Sequence, residues 1–320
     1  MGEHAELVVI GAGPGGYGAA FAAADLGLDV VLIDPEDNPG GVCLYRGCIP
    51  SKALLHVARV IEDARHASEW GVDFGAPQID VDRVREWKNG VVRKLTEGVG
   101  GLAKKRKIRH IQGRARFEDP YRLEIGSKTL RFDHAIIATG SRPSMLPGFS
   151  TDHPAVMTSK EALDLHDIPS TLLIIGGGYI GLEMASVYAA LGSRVTLVEA
   201  LPELLSGVDR DLVEPLRERL ATRLDAILTE TRVTDARDHE DGLQVSFEGS
   251  GEAEVAVFEK VLVAVGRRPN SDDLGLERTR VEVGPDGFIA VDEERRTTER
   301  HIFAIGDVVA QPMLAHKATH

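Results

Sequence analysis

The chain contains two cysteines, Cys43 and Cys48, both within the run Gly40-Gly41-Val42-Cys43-Leu44-Tyr45-Arg46-Gly47-Cys48-Ile49-Pro50-Ser51-Lys52. Two thiols this close in sequence can exchange with an outside disulfide and carry a pair of electrons, provided that one of them ionises near neutral pH. A four-cysteine zinc centre is impossible and the nearby histidine is limited to His56, so no metal site is expected. Spacing restricts the geometry further. In one continuous helix five residues rise about 7.5 Å, beyond the about 4.4–6.8 Å Cα separation of a disulfide. A Cys43–Cys48 bond therefore requires Cys43 to lie in a turn or an irregular first turn, and Gly40, Gly41 and Gly47 supply the freedom for one. A helix N-terminus close to a thiol would lower its pKa. Two buried, inert cysteines are the alternative reading of the same residues.

A second pattern with chemical content occurs twice. Residues 11–34, GAGPGGYGAAFAAADLGLDVVLID, align without gaps on residues 176–199, GGGYIGLEMASVYAALGSRVTLVE, at a constant offset of 165. Gly11, Gly13 and Gly16 fall on Gly176, Gly178 and Gly181, Leu26-Gly27 on Leu191-Gly192, and Asp34 on Glu199. Each copy reads as strand, glycine turn, helix, strand and acid. The first Gly allows a tight turn, the second lets backbone approach a pyrophosphate, and the third lets the helix pack closely on the sheet. The N–H groups at the helix start then face the phosphates. The closing acid can accept hydrogen bonds from a ribose diol, and Glu199 favours NAD over NADP, whose extra phosphate it would repel. Gly27 and Gly192 suit the left-handed residue that ends a helix. A single glycine motif is weak; the joint recurrence of strand, helix, Gly cap and acid is specific.

The elements that must carry these residues can be read from a shorter repeat. Asp133-His134-Ala135-Ile136-Ile137-Ala138-Thr139-Gly140-Ser141-Arg142-Pro143 matches Glu259-Lys260-Val261-Leu262-Val263-Ala264-Val265-Gly266-Arg267-Arg268-Pro269 in character at offset 126. Both read as buried strands ending in Gly. The expected fold is therefore α/β, with two Rossmann-like domains, the second inserted into the first: residues 1–143 plus 271–320, and residues 144–270. A chain of 320 residues has room for two such cores. The first domain closes with the apolar strand Ile302-Phe303-Ala304-Ile305 and then Gly306-Asp307, where the Asp either meets a ligand hydroxyl or simply turns the chain.

Composition is that of an ordinary globular protein, 43% hydrophobic and 27% charged, with no apolar run near the roughly 18 residues of a membrane helix. The net charge of −13 argues against nucleic acid or an anionic membrane as partner. The strand-like run from Glu6 to Ile10 leaves no room for an export signal, which makes the cytoplasm the expected location. Lys104-Lys105-Arg106-Lys107 ends a long helical stretch starting near Val81, where cations suit the helix C-terminus and a solvated charge run is expected.

The order of these motifs, with GGGYIGLE, Ala264-Val265-Gly266-Arg267-Arg268-Pro269-Asn270 and Ala304-Ile305-Gly306-Asp307, resembles the pyridine nucleotide-disulfide oxidoreductases. Within them, Cys48-Ile49-Pro50-Ser51-Lys52-Ala53-Leu54-Leu55 and Pro312-Met313-Leu314-Ala315-His316-Lys317-Ala318 look like the dihydrolipoamide dehydrogenases, and the likeness covers almost the whole chain. That resemblance implies FAD in the first domain, NAD in the second, and a Cys43/Cys48 redox disulfide. Cys43 would attack the lipoyl sulfur and Cys48 would be the charge-transfer thiolate at the flavin. Lys52 would lie near flavin N5 and pair with Glu183. FAD would be held by Gly11, Gly13, Pro14, Gly15, Gly16, Asp34, Gly41, Val42, Cys43, Lys52, Ala115, Thr139, Gly140, Gly306, Asp307 and Ala315, the last at the start of a final helix. NAD would be held by Gly176, Gly178, Tyr179, Ile180, Gly181, Glu183, Glu199, Val233 and Gly266. Tyr179 either shields the flavin face or is a packing aromatic after a Gly turn. The implied reaction is thiolate exchange with a dihydrolipoyl group, electron transfer to FAD, and hydride transfer to NAD.

Members of full length continue for more than a hundred residues past the LAHKA segment, into an interface domain that forms a homodimer and supplies a His-Glu acid/base pair. His316 and His320 lack the family's spacing to a downstream Glu, so cofactor binding is expected to outlast full turnover here. The implied partners are lipoyl domains of 2-oxo-acid dehydrogenase or glycine-cleavage complexes. Tyr45-Arg46 stands where Asn-Val is common in the family, and Arg46 reads as a solvated side chain. Another disulfide or mercuric reductase, or a nucleotide-binding redox module without catalysis, are the competing functions.

Overall fold

The computed structural model of the chain describes residues 3–249 and 254–319. Contacts divide it into two compact units, one built from Met1–Tyr45, Val92–Arg142 and Arg267–His320, the other from Arg46–Val91 and Pro143–Gly266.

In the first unit, the strands Arg109–Gln112, Val30–Asp34, Glu3–Ile10 and Lys128–Ile137 lie side by side in that order, all parallel, and Ile302–Ala304 joins the far edge of Lys128–Ile137, also parallel. Val8 stands opposite Val31 on one side and Ala135 on the other. Val30–Asp34 is buried throughout, as expected of a strand covered on both faces. Strand periodicity separates the faces: Leu7, Val9 and Leu32 enter one core with the helix Pro14–Asp25, whereas Val8, Ile10, Val31 and Ile33 enter another. Ala115–Asp119 and Arg122–Ile125 extend the sheet antiparallel from the start of Lys128–Ile137.

The second unit repeats the plan. Ala226–Leu228, Arg194–Val198, Thr171–Ile175, Lys260–Val263 and Val156–Met157 form a parallel sheet in that order. Leu172 and Ile174 face a core shared with Tyr188 of the helix Tyr179–Leu191, while Leu173 and Ile175 face one shared with Phe247 and Phe258. Those phenylalanines come from an antiparallel sheet of Arg232–His239, Gly242–Glu248 and Glu254–Phe258.

The partition differs from the sequence expectation at residues 46–91, which join the second unit instead of the first. The reason is apolar: Leu54 is 1% exposed within the second unit's core, with Leu55, Ile61 and Val84 packed against the same cluster. The basic run does close the helix Val81–Lys105, but Arg106 is not simply solvated. Its guanidinium lies 4.7 Å over the Phe21 ring, and its Nε is 3.0 Å from Asp25 Oδ1. Among the described residues no helix is long and apolar enough to cross a membrane.

Candidate functional site

The two glycine turns share one hydrogen-bond pattern. In the first, Gly11 has φ +99°, donates its N–H to Ile33 O at 2.8 Å, and would carry a Cβ only 2.4 Å from Ala138 O. A Cβ on Gly16 would lie 1.8 Å from Gly11 O, which is why the helix can start so close to the strand. Gly13 is its extended N-cap and Pro14 its first residue, a place where the missing N–H costs no helical bond. The Asp34 carboxylate, buried, accepts the Ala12 N–H at 2.7 Å and the Glu36 N–H at 3.0 Å.

The hydrogen-bond pattern and the glycine contacts recur 165 residues later, with Tyr179 in place of Pro14 and a half-buried Glu199 in place of Asp34. Gly176 has φ +115°, donates to Val198 O at 2.8 Å, and would carry a Cβ 2.4 Å from Ala264 O. A Gly181 Cβ would meet Gly176 O at 2.0 Å. Glu199 accepts the Gly177 N–H at 2.6 Å and the Leu201 N–H at 2.8 Å. A Cβ on Gly178, by contrast, would meet nothing within 4 Å, leaving open space over the turn at the position where backbone is expected to approach a pyrophosphate. Both turns therefore fit a dinucleotide with helix-start N–H groups and an anchored acid, and the second adds an open approach at Gly178. Sequence reasoning expected the acids to meet ribose and missed that each also ties down its own turn.

The cysteine run is broken at Gly47, whose φ −143° and ψ −111° are not helical. Cys43 falls inside the short helix Gly41–Arg46 and Cys48 is the first residue of Cys48–His66, so the irregularity lies between the cysteines and not at Cys43 itself. Both are half-buried. The short helix starts against the first glycine turn: Gly41 has φ +57°, its Cβ would be 2.4 Å from Gly13 Cα, and the Gly40 N–H donates to Ala12 O at 2.8 Å. Val42 is 37% exposed beside it. Arg46 is half-buried, against the expectation of a solvated side chain.

The expected Lys52–Glu183 pair does not form among the described contacts. Glu183 instead accepts a hydrogen bond from Ser51 Oγ at 2.5 Å. Successive residues on a helix point about 100° apart, and the face of Cys48–His66 turned inward carries Ser51, Leu54 and Ala58, leaving Lys52 exposed.

At the exit of Lys128–Ile137, Thr139 Oγ1 donates to Asn270 O at 2.7 Å, Asn270 Nδ2 donates to Thr139 O at 2.9 Å, and Asn270 N–H donates to Gly140 O at 2.9 Å. Gly140 has φ +70°. Next to it, Ser141 Oγ donates to Asp307 Oδ2 at 2.6 Å and receives Arg267 Nε at 2.8 Å. Asn270, Ser141 and Arg267 were not among the expected site residues; their sequence signals were the shared Gly-Ser/Arg-Arg-Pro ending of the second repeat, which holds Ser141 and Arg267, and the Ala264–Asn270 motif, which holds Arg267 and Asn270. Gly306 has φ +75° and opens the turn that carries Asp307. Ala115 is buried at the start of its strand. Ala315 is half-buried in a turn, and the chain then forms the 3-10 turn Lys317–Thr319 in place of the expected final helix. A Cβ on Gly15 would lie 2.8 Å from Ala318 O, so that turn packs on the first dinucleotide helix. In the second unit Val233 is half-buried opposite Phe247, Gly266 has φ +114°, Ile180 is half-buried and Tyr179 is 48% exposed. His316 is exposed, and His320 lies outside the described residues.

A family model described as pyridine nucleotide-disulphide oxidoreductase matches residues 5–320. The chain is 49% identical to a dihydrolipoyl dehydrogenase of Vibrio cholerae, covering 99% of this chain and 67% of the relative. It is 47% identical to a dihydrolipoyl dehydrogenase of Haemophilus influenzae, covering 98% and 67%. Among solved structures it is similar to the HOCl-induced flavoprotein disulfide reductase RclA from Escherichia coli, with a TM-score of 0.85 and 29% identity over 98% of this chain and 68% of that one.

Proposed function

Because the chain belongs to the pyridine nucleotide-disulphide oxidoreductase family, we propose that it passes electrons from dihydrolipoyl groups to NAD through a Cys43/Cys48 disulfide and FAD. The observation that carries this reading is the seating of the Cys43 helix on the first dinucleotide turn, with Gly41 backbone against Gly13. Gly11, Gly13, Gly16 and Asp34 would hold the ADP half of FAD, with Thr139, Gly140 and Asp307 farther along it. Gly176, Gly178, Gly181 and Glu199 would hold NAD. FAD, when bound, supplies the step that couples two-electron thiol chemistry to hydride transfer. The chain's own share is thiol exchange: a dihydrolipoyl thiolate attacks Cys43 of the Cys43–Cys48 disulfide and displaces the Cys48 thiolate, and the second lipoyl thiolate then displaces Cys43, leaving the lipoyl disulfide and two reduced cysteines. Lipoyl domains of a 2-oxo-acid dehydrogenase or glycine-cleavage complex are the partners that reaction requires.

The test is anaerobic reduction of NAD by dihydrolipoamide, run beside NADH oxidation by an artificial dye. Cys48→Ser is expected to abolish the first and keep the second. Purified protein without flavin, or a Cys48→Ser variant with unchanged dihydrolipoamide activity, would overturn the proposal.

A further inference from the structure

The Cys43 helix has six residues, too few to hold its own shape in water. One end is seated by Gly41 on Gly13. The other end is held by Tyr45, whose hydroxyl accepts the Asn38 N–H at 3.3 Å and donates to the Asn38 carbonyl at 3.0 Å. Asn38 itself sits where the helix Val81–Lys105 has no side chain: a Cβ on Gly100 would be 2.1 Å from Asn38 Oδ1. Residues 38–45 thus form a loop closed on itself by one phenol, with Cys43 inside it.

We infer that Tyr45 is a positioning residue for the thiol chemistry of Cys43, its hydroxyl clasping the short helix to Asn38. The inference rests on the redox role proposed above for the cysteine pair. Burial pushes the Tyr45 phenol up from its ordinary value of 10.0, so the hydroxyl keeps the proton that it donates. Loss of the clasp frees the segment that carries one sulfur, lowers the effective concentration of Cys43 toward Cys48, and shifts the pair toward the dithiol.

The experiment equilibrates the whole protein with glutathione and glutathione disulfide and counts alkylated cysteines by mass. Cys43 thiolate attacks glutathione disulfide, its S–S bond breaks and one glutathione leaves. Cys48 then attacks the mixed disulfide, the Cys43–Cys48 bond forms and a second glutathione leaves. Two electrons pass to glutathione disulfide, and the two thiol protons end on the glutathiones. Tyr45→Phe, which keeps the ring and removes the hydroxyl, is expected to shift this equilibrium about two- to tenfold toward the dithiol, the worth of a net hydrogen bond or slightly more. Gly100→Ala, which keeps the phenol and pushes Asn38 away, should shift it in the same direction. Wild-type ratios in both variants, or shifts that merely track loss of global stability in urea, overturn the clasp. A wild-type chain that forms no Cys43–Cys48 disulfide at any buffer ratio overturns both the clasp and the proposed function.

Discussion

The carboxylate of Asp34 accepts the main-chain N–H of Ala12 at 2.7 Å, tying the end of one strand to the glycine turn at the end of its neighbour. Glu199 does the same for Gly177 at 2.6 Å. The acid therefore serves the turn before it serves any ligand. Asp34→Ala should cost about 1.5–3 kcal/mol of stability, the range for hydrogen bonds to a charged group, together with loss of flavin from the purified protein. Urea unfolding and the visible flavin spectrum check both. Unchanged unfolding would mean that the acid serves the nucleotide alone.

The glycines of one motif should separate into two classes. Gly16→Ala puts a methyl 1.8 Å from Gly11 O, and should destabilise by about 2–3 kcal/mol as an overpacked site. Gly178→Ala meets no atom within 4 Å and has φ −79°, so its stability should stay within about 0.5 kcal/mol of wild type. NADH affinity at Gly178→Ala should nevertheless fall about tenfold or more, measured by titration, because the methyl stands where backbone must approach a phosphate.

Ser51 and Lys52 are neighbours with opposite expectations. Ser51→Ala removes the donor to Glu183 from a buried position and should cost about 1.5–3 kcal/mol. Lys52→Ala, on the exposed face, should change stability by less than about 0.5 kcal/mol. Denaturant midpoints with the reverse order would place the Glu183 interaction on Lys52.

Lys88 gives the fold a pH dependence. Its side chain is buried and donates to Leu163 O at 2.7 Å, at the end of the helix Ser159–Asp164. Desolvation holds its pKa below the ordinary 10.5. In the window between that depressed value and 10.5 the unfolded chain binds more protons than the folded one, so stability rises with pH there. Lys88→Met should flatten that rise. Urea midpoints across the alkaline range check it, and an equal slope in both proteins would exclude Lys88 as the source.

The sequence alone determined the two dinucleotide units, because a strand, a glycine turn and a helix are local and each glycine answers to atoms a few residues away, as Gly16 answers to Gly11. It also singled out the cysteine pair, through the spacing of Cys43 and Cys48 and the Ile49–Leu55 run beyond them. Tertiary structure decided what depends on distant segments. Residues 46–91 joined the second unit because Leu54 found its core there, a choice no local period records. Glu183 took Ser51 as partner because helix rotation turned Lys52 outward. Asn270 and Ser141 became parts of the site through partners more than a hundred residues away, Thr139 and Asp307. Tyr45, an ordinary aromatic in the sequence, acquired a role once the chain brought Asn38 back against its hydroxyl. Hydrogen bonds of this kind depend on where two backbones meet, and that is settled by packing.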